Sequence, residues 1–329
     1  MKTMIGSRTL STNTYGARNG KLMKETYGNG DIVSTDYDNL DRAVNRKANG
    51  KVLYSWAYDG EGNIGRLEDQ VNGVTHRYEY DTTGRLQRET GSDGRELYYK
   101  YDVNNNVTGQ SYTMDGETRT MSHEIGEDNL LTKSTLDGDV QVTNTYDGLN
   151  RLKRQDTKLG TSNPNVRYAY TNGSRTNETT TQVGVESHYM GTELRDDYRY
   201  EYDELGNMTE ALQAGEQACD YEYDSVGELT RVDDKHAGKT TLYTYDKDGN
   251  ILKRTEYPYK NLTTATKVVN YTYGDGGWKD LLTGYNGKTI TYDGIGNPIQ
   301  TTHGEKYWWT GRQLDKMMTD VGRELAFKY

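Results

Sequence analysis

The chain has 329 residues, 40 Lys and Arg against 50 Asp and Glu for a formal net charge of −10, and one cysteine, Cys219. That balance argues against nucleic acid as the main partner, because phosphate neutralisation needs a basic face. The lone cysteine excludes an internal disulfide framework and any cysteine-based zinc site. No run approaches the roughly 18 apolar residues of a membrane helix, and the opening MKTMIGSRTLSTNTYG does not read as a secretory signal peptide, having no apolar segment.

Aromatic usage is lopsided: 30 Tyr, four Trp and a single Phe, Phe327. Buried payload must therefore be carried by rings that end in a hydroxyl, which suit a surface that is apolar on the flank and hydrogen-bonded at the tip. Gly is 37 and Pro only 3. Many Gly with almost no Pro fits many tight turns between strands that need their N–H groups.

Along the chain one unit recurs. Copies begin with YGARNGKL at Tyr15 and YGNGDIV at Tyr27. Then come Tyr37-Asp38, Tyr58-Asp59, Tyr80-Asp81 and Tyr101-Asp102. A degraded copy near His123 precedes Tyr146-Asp147, and another, Tyr168 to Thr176, precedes Tyr202-Asp203. Tyr223-Asp224, Tyr245-Asp246 and Tyr292-Asp293 follow, with Tyr273 and the segment around Trp309 continuing the series less regularly. The period is about 21–22 residues by subtraction of the tyrosine positions. Residues 1–14 read as a lead-in, and 15–329 as one continuous repeat domain with no linker.

The unit reads YxYDxxGNI, as in YEYDELGNM from Tyr200 and YTYDKDGNI from Tyr243. Tyr-x-Tyr has period 2, which puts both rings on one face of a strand. The Asp starts a turn, its carboxylate accepting backbone N–H bonds, and the Gly three positions on (Gly84, Gly206, Gly227, Gly249, Gly296) can take a positive φ. A second turn, such as Thr90 to Gly94, lies about midway, so each repeat is two strands and two turns. One repeat cannot bury enough surface alone and must share a ladder with its neighbours. The expected fold is all-β: repeated antiparallel hairpins in one long sheet, curled into a segment of a hollow barrel or spiral shell, because open sheets of more than about ten strands curl or close. Two dozen strands in one closed turn would enclose roughly 45–50 Å.

These residues resemble the YD-repeat family, also called rearrangement-hotspot (Rhs) repeats, which includes bacterial polymorphic toxins, the shell components of insecticidal Tc toxins and the teneurins. The stretch from YTYGDGGWKD to GIGNPIQ, followed by WTGRQL at Trp309 to Leu314, is similar to the late repeats of such toxins from Gram-positive bacteria. The resemblance implies a β-strip wound into a hollow shell around a C-terminal toxic domain, and export to the cell surface or beyond as part of a larger protein. The toxins' Asp-Pro core, linked to self-cleavage, is missing: the prolines follow Asn163, Tyr257 and Asn297. The last residues, AFKY, look like half a repeat, so a fragment of a longer shell is expected.

Candidate chemistry is weak. GEGNIG at Gly60 to Gly65 matches a dinucleotide fingerprint but sits in a turn with no helix after it. His123-Glu124 lacks the second His of a zinc-protease motif, and His76, His123, His188, His236 and His303 are scattered. DKDGN at Asp246 lacks full EF-hand spacing. An Asp repeated in every copy reads as a turn cap rather than one of a catalytic pair. Trp308 and Trp309, being adjacent, face opposite sides of a strand. No catalytic, metal or cofactor residue is assigned. The favoured reading is a non-enzymatic shell segment whose partners are the rest of its shell and an enclosed toxin domain, with edge-to-edge self-association expected of uncovered strands. The alternative is a cell-surface adhesin whose Tyr-rich sheet binds glycans. A hydrolase would need a unique carboxylate pair, and none stands out.

Overall fold

The computed structural model describes residues 1–173, 175 and 178–328; Ser174 and Thr176 of the degraded copy Tyr168 to Thr176, and Tyr329, lie outside the described residues. Among the described residues every regular element is a strand. Twenty-six strands belong to one antiparallel sheet and five to a second. The all-β reading, hairpins joined in one long sheet, holds.

The chain divides into two compact units. The first comprises Met1–Arg95, Tyr245–Lys253 and Val269–Tyr329. It opens with the hairpin Lys2–Ile5 and Arg8–Tyr15, and successive antiparallel neighbours follow to Leu86–Gly91. Its last segment forms the five-stranded sheet, Thr291–Tyr292 through Glu324–Ala326. That sheet and the segment before it lie on the unit's first hairpins. Arg8 pairs with Asp275 at 2.5 Å, and Asn29 Nδ2 donates to Asp293 Oδ2 at 3.0 Å. The backbone N–H of Gly311 donates to Asp31 Oδ2 at 2.8 Å. Ile295 is fully buried there; a Cβ on Gly28 would stand 3.0 Å from its Cγ2 and 2.1 Å from the Thr9 carbonyl. Only glycine fits that approach.

The second unit comprises Glu96–Thr244 and Arg254–Val268. Its ladder runs from Glu96–Tyr101 with Val107–Met114 through to Leu229–Asp234 with the strand from Lys239. The stretch after Arg254 closes over this ladder: Lys260 Nζ reaches Asp220 at 2.6 Å and Gln217 at 2.9 Å, and its N–H donates to Thr240 Oγ1 at 2.8 Å. Thr240 is fully buried and its hydroxyl meets Asp233, which Arg231 also grips at 2.9 Å.

Neither unit has a conventional apolar core. Among the described residues the buried hydrophobics are Ala218, Val269, Leu281 and Ile295, while most strand positions are half-buried.

Candidate functional site

The recurrent Tyr-Asp hairpin is the chain's repeated constellation of polar side chains, and its geometry is nearly identical from copy to copy. In the turn at Asp203, Oδ1 accepts the N–H of Leu205 at 2.9 Å and of Asn207 at 2.8 Å, and Oδ2 accepts Asn207 Nδ2 at 2.9 Å. Asp59, Asp102, Asp246 and Asp293 repeat the pattern with Asn63, Asn106, Asn250 and Asn297. Asp38, Asp81 and Asp147 meet arginine at the fifth position instead, through Arg42, Arg85 and Arg151 at 2.6–2.8 Å. In the turn at Asp224 the fifth residue is Glu228, and the two backbone bonds remain, each 2.9 Å.

These bonds favour the ionised carboxylate. The Arg151 guanidinium and then the backbone N–H groups hold the Asp147 carboxyl down at about 2. The backbone N–H of Arg85, ahead of the side chains, holds Asp81 lower still. The Asn207 side chain holds the Asp203 carboxyl below its ordinary value. An acid of this kind is a fixed acceptor and a poor proton carrier near neutral pH.

The turn glycines Gly84, Gly206, Gly227, Gly249 and Gly296 have φ between 80° and 89°. Where the copy lacks Gly, Asp41, Asn105 and Asn150 take the same left-handed position at φ 59°, 68° and 62°. The turn is followed by a β-bulge. Tyr80 faces Leu86 while Glu79 faces Arg88, so Gln87 is extra. Tyr202 with Met208 and Tyr223 with Leu229 repeat the shift. A bulge bends the strand and increases its twist, so each repeat adds an increment of curvature to its sheet.

The second tyrosine of nine copies does something that the spacing did not reveal. Its hydroxyl donates to a backbone carbonyl in the preceding hairpin. Tyr37 reaches Leu22, Tyr58 reaches Ala43 and Tyr80 reaches Ile64, at 2.7–3.0 Å. Tyr146 reaches Leu131, Tyr202 reaches Val183 and Tyr223 reaches Met208, at 2.8–2.9 Å. Tyr292 bonds Leu282 at 2.5 Å. Tyr170 and Tyr273, whose copies have lost the Asp, still bond Leu152 at 2.8 Å and Ile251 at 3.2 Å. Most of these acceptors open the return strand just past a turn, beside the bulge, where the ladder is interrupted. The hydroxyl satisfies a carbonyl that the irregularity would strand. Phe in its place would fill the same space and leave the carbonyl unpaired, which favours Tyr over Phe at these nine positions.

Arginine at the fifth position joins turn to ring. Arg42 binds Asp38 and lies 4.3 Å above the Tyr58 ring; Arg151 binds Asp147 and lies 4.1 Å above Tyr170. Burial pushes the Tyr58, Tyr80, Tyr202 and Tyr223 hydroxyls up, and those of Tyr78 and Tyr221 to about 12. Tyr101 and Tyr245 stand at the same second-ring position, next to Asp102 and Asp246.

The remaining candidates are dispersed. Gly60 to Gly65 lies in the Asp59 turn and its return strand, with Gly62 at φ 93°. His76 meets Glu89 at 2.9 Å, His188 meets Glu186 at 2.8 Å, and His123 meets Ser134. Among the described residues no group of three or more His, Cys, Asp or Glu could hold a metal ion. Burial raises the Cys219 thiol, which suppresses its nucleophilic form. Trp308 is 40% exposed with Lys316 4.5 Å over its ring, whereas Trp309 is half-buried and donates to the Pro298 carbonyl at 2.8 Å.

Comparison with known proteins agrees with this geometry. Residues 223–258 match the RHS Repeat family model. Over 343 aligned residues the chain is 27% identical to the tRNA nuclease WapA of Bacillus subtilis (strain 168), with 92% of this chain and 14% of that protein covered. The tRNA3(Ser)-specific nuclease WapA of Bacillus spizizenii is 25% identical over the same coverage. The chain thus spans about one seventh of the curated relatives it matches. Among solved structures, the crystal structure of TcdB2-TccC3-TEV superposes with a TM-score of 0.74 over 94% of this chain and 18% of that one, at 15% identity, a likeness of fold.

Proposed function

We propose that this chain, which matches the RHS Repeat family model over residues 223–258, is a non-enzymatic wall segment of a secreted toxin's shell. Its partners in this reading are further repeats of the same wall and a toxic domain enclosed or presented by it. One observation carries the reading: the repeated carboxylates and hydroxyls, which would be the raw material of an active site, are consumed by the backbone. Each turn Asp accepts bonds from its own hairpin, and second-ring Tyr hydroxyls bond the hairpin before. A group held in that way cannot shuttle protons or attack a substrate without breaking the fold.

The Bacillus relatives are named as tRNA nucleases, and this chain covers 14% of their length; in our reading this stretch is wall and not nuclease. The test is direct. The purified chain, incubated with total tRNA with and without Mg²⁺, is expected to leave the tRNA intact on a denaturing gel. Cleavage that a single Asp or Glu substitution abolishes would contradict the reading.

A further inference from the structure

The motif WTGRQL, Trp309 to Leu314, is not used by the Tyr-Asp clasp. Its turn is fixed on the Tyr27 copy of its own unit. Gly311 is buried at φ 58°, and a Cβ there would stand 2.7 Å from the Tyr27 ring. Its N–H goes to Asp31, and its carbonyl accepts Asn297 Nδ2 at 2.7 Å. This anchoring opens a groove of about 540 Å³ between the turn and the sheet face behind it, lined by Tyr27, Tyr54, Trp309, Leu314 and two arginines, Arg46 and Arg312.

The arginines are the unusual feature. Most arginines described here face a carboxylate at salt-bridge distance. Arg46 bonds the Thr35 hydroxyl at 3.1 Å, and Arg312 bonds the Asn297 amide oxygen at 3.4 Å; no salt bridge involves either among the described residues. Both line the groove and act electrostatically on the Tyr27 hydroxyl, so their positive fields meet at that ring's tip. Glu25 shares that sheet face, and its carboxylate accepts the Tyr27 hydroxyl at 2.9 Å. The groove continues past Tyr54 and Gln313 into a second hollow of about 270 Å³ lined by Val71, Phe327, Lys51 and Asp315. A trough lined by two guanidiniums among aromatic and apolar side chains complements an extended chain with carboxylates beside apolar groups.

We propose that this groove binds an acidic peptide in extended form, its carboxylates on Arg46 and Arg312 and its neighbouring apolar side chains against Trp309, Tyr54 and Leu314. The probe is a fluorescein-labelled peptide of alternating Glu and Leu, seven residues long, titrated with the full chain and read by anisotropy. Its Gln/Leu and Lys/Leu counterparts serve as comparisons. The acidic peptide is expected to bind at least tenfold more tightly than the Gln peptide and to weaken with added salt. Arg312→Gln and Arg46→Gln are each expected to reduce affinity about fivefold, and the pair more than tenfold. Arg312 is exposed, so its single variant keeps the proposal testable if Arg46→Gln unfolds the hairpin, with circular dichroism as the check. Equal binding of the Gln peptide, or unchanged affinity in a folded Arg312→Gln variant, overturns the proposal. So does sedimentation showing that Arg312→Gln abolishes a dimer of the free chain, which would make a second copy the occupant.

Discussion

A hydroxyl separates tyrosine from phenylalanine, and in this chain that atom joins one hairpin to the one before. The ring alone would cover the sheet; the bond from Tyr223 to the Met208 carbonyl adds an address. The paired aspartate works at shorter range, within its own turn. Both leave a pH signature whose signs follow from linkage. The Asp147 carboxyl sits near 2 in the fold against an ordinary 3.8, so the unfolded chain binds more protons between those values. The stability that the Asp147 turn contributes is therefore complete above about pH 4 and is lost as pH falls toward 2. The tyrosines act in the opposite sense. Tyr78 and Tyr221 are raised from 10.0 to about 12 by burial, so stability holds below pH 10 and falls as pH rises toward 12. Urea midpoints across pH should trace both limbs, and Asp147→Asn should flatten the acid one. A wild-type midpoint that does not change between pH 2 and 5 would contradict the turn assignment.

The hairpin turn shows why one position prefers glycine and which substitutes it accepts. Gly227 has φ 87°, and a Cβ added there would meet nothing within 4 Å, so the penalty for a side chain is backbone strain and not collision. Gly227→Val should destabilise by about 1–3 kcal/mol. Gly227→Asn should cost well under half as much, because Asn105 and Asn150 already occupy the equivalent position. Urea denaturation of the two variants decides this, and equal losses would sink it. This turn was legible in the sequence because everything it needs lies within five residues and recurs: Asp, then Gly, then Asn or Arg. The acceptor of the tyrosine hydroxyl was not legible. It is a main-chain carbonyl 10 to 22 residues upstream, and a carbonyl has no residue type to conserve a pattern. Only the scarcity of Phe hinted at it. The bulge was hidden for the same reason, since Gln87 and Thr230 differ in type while sharing a backbone role. Nor did the period show the last repeats lying on the first hairpins of their unit, through pairs such as Arg8 with Asp275, because that contact occurs once.

At the scale of the whole molecule, repeats that contact mainly their neighbours behave as a one-dimensional array, whose stability is a sum of units and interfaces. The clasp is an interface element: it belongs to two consecutive hairpins and to no others. Hydrogen exchange followed by mass spectrometry on Tyr223→Phe tests this most directly. Losing the bond to the Met208 carbonyl should cost about 1 kcal/mol and raise exchange about fivefold across Met208–Gln213 and Glu216–Asp234, leaving Leu131–Lys158 at its original rate. Tyr112→Phe, whose exposed hydroxyl meets the Met114 sulfur and no carbonyl, should leave the whole pattern unchanged. Exchange in Tyr223→Phe indistinguishable from the parent, or raised equally along the entire chain, would contradict a sheet clasped hairpin to hairpin.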